Sequence, residues 1–213
     1  MSNSKDVYLM GYSGHAYVVA DIALANNYSI KGYFDFQKSL KNPYKIHFLG
    51  NENEVDVPKI IADAAVFPAI GSNLIREKVT NFIIKNGLKQ IRLFAPSSFI
   101  SNNAEIESST VIGPNAVVNS LSTIGLGSII NSGAIVEHEC SLGSFSHLAP
   151  GAILAGNVKV GKRTFIGANA VVKQGVEIGD NVVIGAGCVV IEDIPSNGTW
   201  VGNPARNITK HAK

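Results

Sequence analysis

Residues 112–142 read IGPNAVVNSLSTIGLGSIINSGAIVEHECSL, and a branched aliphatic returns at every sixth place: Ile112, Val118, Ile124, Ile130, Val136 and Leu142. The same step reaches Ile106 and Ile100 upstream. Downstream it reaches Leu148, Leu154, Val160, Ile166, Val172, Ile178, Ile184 and Val190, with no insertion anywhere. Four residues after each aliphatic, from Ala104 to Cys188, stands a small or compact side chain. A period of six is neither helical nor a two-residue alternation. It fits a strand of a few residues and a tight turn, with one large and one small side chain inward per strand, stacked as a solenoid. Glycine and asparagine at the turns supply positive φ at little cost. Cys140 and Cys188 both take the small inward place. They lie eight hexads apart, ~13 Å along the axis at ~4.8 Å per stacked strand, which is too far for a disulfide.

Upstream of Ile100 the hexad is absent. Short apolar runs at Val7–Met10, Ile30–Phe34, Ala65–Ile70 and Ile91–Phe94 predict strands, and 16–26 and 74–86 predict helices. That alternation implies a small Rossmann-like parallel sheet flanked by helices. Pro96-Ser97-Ser98 marks the junction, giving domains 1–96 and 97–213. Gly11-Tyr12-Ser13-Gly14-His15 is a glycine turn leading into a helix, where free N–H groups and the helix dipole favour phosphate. Asp35 follows twenty-one residues after Gly14, at a place suited to a ribose or base. The three-glycine dinucleotide fingerprint is missing, which disfavours NAD. The same residues also suit an ordinary strand-to-helix turn with Asp35 in a loop.

Composition narrows the class. The 213 residues carry a formal net charge of +2, with 46% hydrophobic and 16% charged side chains. So small a charge implies no nucleic-acid partner and no polybasic membrane patch. The N-terminus has no signal-peptide pattern, and no apolar run approaches a membrane span of ~18 residues. A cytoplasmic protein is expected.

The hexad pattern resembles the hexapeptide-repeat acyltransferases. That resemblance implies a left-handed parallel β-helix, three hexads per coil, assembled as a homotrimer with acetyl-CoA in the groove between neighbouring helices. Both halves together are similar to the bacterial N-acetyltransferases that modify the 4-amino group of UDP- or GDP-linked amino sugars, with sialic acid O-acetyltransferase-like relatives. The matching residues are Gly11-Tyr12-Ser13-Gly14-His15 and Asp35-Phe36 in the first half. In the second they are 136–140, 145–147, 155–158 and Gly202-Asn203-Pro204-Ala205. The resemblance implies that Ser13, Gly14, His15, Asp35, Phe36 and Gly71 hold the nucleotide sugar and that Asn131 touches its amine. It places His147, Ala168 and Ala186 along acetyl-CoA. Tyr12 stands where smaller residues are usual.

Acetyl transfer to an amine needs a base and a group to steady the oxyanion. Histidine titrates near working pH, so His138 is the candidate base, with Glu139 to orient it. One coil on, Gly156 falls beside His138 and leaves room for the thioester. Its N–H is placed to meet the oxyanion. His147 lies half a coil from His138, so one chain cannot bring both to one site, whereas a neighbouring subunit can. Lys162, Arg163 and Arg206 suit CoA phosphates or a solvated face equally. No metal is expected: the β-helical carbonic anhydrases hold zinc with three histidines, and the repeat has two, with His211 in the tail. An O-acetyl acceptor needs the same base and remains the alternative reaction. A non-catalytic nucleotide-sensing trimer is the alternative outside enzymes.

Overall fold

A computed structural model describes residues 5–209, so His211 lies outside the described residues. The chain forms two compact units, Met1–Pro96 and Ser97–Lys213.

The first unit is a five-stranded parallel sheet of β1 (Lys5–Met10), β2 (Tyr28–Phe34), β3 (His47–Phe48), β4 (Ala65–Pro68) and β5 (Lys89–Gln90), in the order β3-β2-β1-β4-β5. Helices α1 (Gly14–Ala25), α2 (Val57–Ile61) and α3 (Asn73–Lys85) connect them. Ala16, Val19, Ala20 and Ala23 bury one side of α1, and Asn27 ends it in the left-handed region (φ 61°). Met10, Phe34, Val66, Val79 and Ile83 form the core between sheet and helices. The last strand of this sheet is Lys89–Gln90; within the expected Ile91–Phe94, Leu93–Phe94 is a strand but lies outside this sheet. β3 and α2, only two and five residues long, had no signal in the periodicity. Strand order reverses between β1 and β4, so the ends of these two strands open a crevice of the kind that binds ligands.

The second unit is the left-handed parallel β-helix. Each of the sixteen aliphatics from Ile100 to Val190 lies in its own short strand. Strands eighteen residues apart stack in parallel register: Phe99 beside Val117, Ile135, Ile153, Val171 and Val189 on the first face. The second face runs from Glu105 through Thr123, Ser141 and Lys159 to Glu177. The third face runs from Val111 through Ile129, His147 and Phe165 to Val183, and then Thr199. From Ile112 to Val190 every hexad aliphatic is buried. Cys140 and Cys188 are free and buried, and burial raises both thiol pKa values.

The turns refine the expected role of glycine. Positive φ falls three residues after every aliphatic from Ile106 to Ile184, at Ser109, Asn115, Leu121, Gly127, Gly133, Glu139 and onward every sixth residue to Gly187. The glycines directly after the aliphatic serve a different need. A Cβ on Gly143 would lie 2.6 Å from the Lys162 nitrogen of the next coil. Glycine is there so that coils can approach. Buried hydroxyls in the small inward places also have a job: Ser122 Oγ donates to Glu137 O, Ser146 Oγ to Gly161 O and Thr164 Oγ1 to Gly179 O, each at 2.7 Å. Each satisfies itself and a carbonyl of the following coil.

Candidate active site

His138 sits at the corner between the first and second faces, and Glu139 takes the left-handed slot after it (φ 61°). His138 Nδ1 and Glu139 Oε2 are 3.0 Å apart. A carboxylate only accepts, so Nδ1 carries the proton of the neutral ring and Nε2 keeps its lone pair. The ring is 54% exposed, leaving Nε2 open to a substrate. Gly156 lies beneath it: a Cβ there would stand 2.5 Å from Cε1 and 2.7 Å from Nε2. The Gly156 carbonyl accepts from Gly175 N at 3.0 Å, while its N–H meets no acceptor among the described residues. Cys140, two residues on, is 1% exposed and its Sγ donates to Ala155 O, so it presents no nucleophile.

His147 belongs to the third face and is 8% exposed, packed edge-on to Phe165 at 5.1 Å. Asn131, expected against the substrate amine, joins His147: Asn131 Nδ2 is 3.2 Å from His147 Nε2. Its Oδ1 accepts from Ser132 N at 2.8 Å, which turns the amide nitrogen toward the histidine and makes Nε2 the acceptor. Ala168 and Ala186 stack in successive coils at the corner after this face, where Gly187 N donates to Ala168 O. Within one chain, Gly156 therefore goes with His138, whereas Asn131, His147, Ala168 and Ala186 share another side of the prism. Lys162 and Arg163 lie at the remaining corner, with Lys162 N on Asp180 Oδ1 and Arg163 Nε on Asn181 Oδ1. Arg206 is exposed in the closing hairpin. One polar contact at the His138 corner had no sequence signal: Asn119 Nδ2 donates to Glu137 Oε2 at 3.0 Å.

In the first unit, the ends of β1, β2 and β4 border an open cleft of about 630 Å3. Ser13, Gly14, Asp35, Lys38, Lys41 and Ile70 are among its lining. Ser13 caps α1 with its backbone and makes no side-chain cap bond, so its hydroxyl is available to a ligand. Both oxygens of Asp35 accept backbone N–H groups, from Tyr12 at 2.8 Å and Phe36 at 2.7 Å. Asp35 thus ties the end of β2 to the turn after β1 as well as facing the cleft. Phe36 is 80% exposed and does not line the cleft. His15 and Gly71 adjoin each other, with a Gly71 Cβ falling 3.6 Å from that of His15. Burial, and then the Arg76 guanidinium, push the His15 imidazole down to about 4. Arg76, unremarkable in sequence, is 1% exposed and donates to Ile70 O, Gly71 O and Asn73 Oδ1. Burial lowers its pKa to about 9, which leaves it charged at neutral pH. No group of three His, Cys, Asp or Glu side chains converges among the described residues.

Residues 6–83 match the PglD N-terminal domain, and residues 157–192 match the hexapeptide repeat of succinyl-transferase. PerB from Caulobacter crescentus, solved with CoA and GDP-perosamine, is 31% identical over 95% of this chain and 96% of its own, with a TM-score of 0.90. The acetyltransferase domain of PglB from Neisseria gonorrhoeae, solved with acetyl coenzyme A, is 31% identical over 97% and 100%, with a TM-score of 0.87. WeeI from Acinetobacter baumannii is 25% identical over 96% and 100%, at 0.84. Identity at this level across nearly both full lengths means that the chain belongs to the hexapeptide-repeat N-acetyltransferases of nucleotide-linked amino sugars, which take acetyl-CoA as cosubstrate.

Proposed function

We propose that the protein transfers acetyl from acetyl-CoA to the 4-amino group of a UDP-linked amino-deoxy sugar, with His138 as general base. The observation that carries this is the His138–Glu139 pair above Gly156. Nδ1 is tied to a carboxylate, Nε2 is free, and a side-chain-free floor adjoins the ring. The amine attacks the thioester carbonyl while Nε2 takes its proton. The tetrahedral oxyanion accepts from the Gly156 N–H, collapses, and expels the CoA thiolate, which is reprotonated as the free thiol. Attack is direct, since Cys140 is buried and no other thiol lies near the base.

The outward residues favour a homotrimer. On the first face Phe99, Val117, Ile135, Ile153, Val171 and Val189 make an unbroken apolar ladder; the second presents Glu105, Thr123, Ser141, Lys159 and Glu177. Six stacked apolar residues on a sheet call for a partner surface. A neighbouring protomer packed over the ladder covers it, and the groove between the two brings His138 to the neighbour's Asn131 and His147. Acetyl-CoA lies in that groove against His147, Ala168 and Ala186. The nucleotide moiety occupies the cleft at Ser13 and Gly14, with His15 and Gly71 behind it. Substrates of this class favour action in the cytoplasm; no helix among the described residues is long and apolar enough to cross a membrane.

The test is an acceptor panel with acetyl-CoA: UDP- and GDP-linked 4-amino-4,6-dideoxy sugars and free sialic acid, with products read by NMR. An N-acetyl signal from the UDP sugar is expected. Acetylation of the GDP sugar alone corrects the nucleotide, and O-acetylation of sialic acid overturns the amine acceptor.

A further inference from the structure

The wall of the nucleotide cleft opposite α1 is the loop 36–46; Ile46 is buried at its end, but nearer its tip Phe36 is 80% exposed and Leu40 fully so. Tyrosine hydroxyls hold it instead. Ser39 N donates to Tyr33 Oη at 3.0 Å, Tyr17 Oη donates to Lys41 O at 3.1 Å, and Tyr12 Oη donates to Asn42 Oδ1 at 2.9 Å. Asn42 in turn bridges the base of the loop, accepting from Ile46 N and donating to Ile46 O. From the loop side, Tyr44 Oη donates to Asp21 Oδ1 of α1 at 2.7 Å. The rings pack as one cluster: Tyr12 stacks on Tyr33 with centroids 4.3 Å apart and meets Tyr17 edge-on at 5.3 Å. Between these anchors sit Lys38 and Lys41, both in the cleft lining with Ser13 and Gly14 at the positive end of α1. The acid in the cleft lining, Asp35, already accepts two backbone N–H groups. The cleft is thus built for a polyanion, and its cationic wall is placed by hydroxyls contributed from β1's exit turn, α1 and β2.

We infer that Tyr12, Tyr17 and Tyr33 are positioning residues that hold the 36–46 loop so that Lys38 and Lys41 meet the diphosphate of the nucleotide sugar. The inference rests on the functional reading above and adds how that site selects a nucleoside diphosphate. Tyr12 gains a purpose: its ring stacks on Tyr33 while its hydroxyl reaches Asn42. None of the three needs to touch the ligand. Their hydroxyls pre-order the loop, and pre-ordering shows in affinity for the ligand and not in the chemical step.

The experiment compares wild type with Tyr17→Phe/Tyr33→Phe, which keeps both rings and removes two loop hydrogen bonds. Loss of two such bonds predicts a rise of about tenfold in KM for the UDP-linked amino sugar. The KM for acetyl-CoA and kcat stay at wild-type values. Lys38→Met/Lys41→Met raises the same KM and flattens its dependence on salt. Unchanged nucleotide-sugar KM in either double variant overturns the inference, and so does a matching change in the acetyl-CoA KM. Calorimetric binding of UDP to wild type separates the two levels. A protein that neither binds UDP nor acetylates the sugar overturns the functional reading along with the inference. One that does both while the tyrosine variants keep wild-type KM overturns the inference alone.

Discussion

Replacing Gly156 by alanine adds a single carbon beneath the catalytic ring. That carbon would stand 2.5 Å from His138 Cε1 and 2.7 Å from Nε2. Ordinary carbon contacts begin near ~3.5 Å, so the ring must retreat by about 1 Å. Folding is barely affected, because the imidazole is 54% exposed and can swing outward, and Gly156 is not in the positive-φ region. Catalysis is affected strongly. Retreat strains the 3.0 Å bond to Glu139 and moves Nε2 off the amine. Misplacement of a reacting group by ~1 Å costs on the order of 100-fold in rate. Gly156→Ala therefore lowers kcat by about 100-fold while the Gly156 N–H and the oligomer are retained. Thiol release from acetyl-CoA gives kcat, and size-exclusion chromatography with thermal melting gives assembly and stability. A stable, correctly assembled Gly156→Ala enzyme with wild-type kcat would refute the placement of the thioester beside this ring.

Mixing inactive His138→Ala and His147→Ala chains regains activity through trimers in which one intact histidine of each kind meets at a shared site; continued inactivity of verified mixed trimers contradicts the two-subunit groove. His15, held at about 4 against an ordinary 6.5, binds its proton more readily unfolded than folded, so stability is lost as pH falls from about 6.5 toward 4. Melting curves across that window should be flatter for His15→Gln, and parallel curves for the two proteins contradict it. Gly143→Ala puts a Cβ 2.6 Å from the backbone nitrogen of Lys162, which cannot swing aside. Chemical denaturation should show a loss of about 1–3 kcal/mol, and unchanged stability contradicts the close-approach role of these glycines.

The solenoid was legible because each coil repeats one local solution. The inward aliphatic, the small residue four places on and the eighteen-residue stacking all follow from one period, and the placement of Gly156 beside His138 was simple arithmetic on it. Which glycines turn the chain was not legible. Positive φ fell on Asn115, Leu121, Glu139 and Phe145 as readily as on Gly127. Once stacking fixes the turn, side chains other than glycine bear its strain. Asn131 illustrates a different limit. The resemblance gives it to the substrate amine, and within one chain it lies beside His147, a corner away from His138. Arg76 gave no sign because its partners are carbonyls, which every residue possesses. In the first domain, strands of four to seven residues announced themselves, whereas His47–Phe48 and Lys89–Gln90 are too short to show a period.

If His138 deprotonates the amine of a nucleotide sugar while acetyl-CoA supplies the acyl group, thiol release depends on both the acceptor and this histidine. The most direct measurement is thiol release by the purified protein given acetyl-CoA and a UDP-linked 4-amino-4,6-dideoxy sugar, run beside His138→Ala. Rapid, acceptor-dependent release in wild type, abolished in an equally stable His138→Ala protein, is the predicted result. Equal release from both proteins would contradict it.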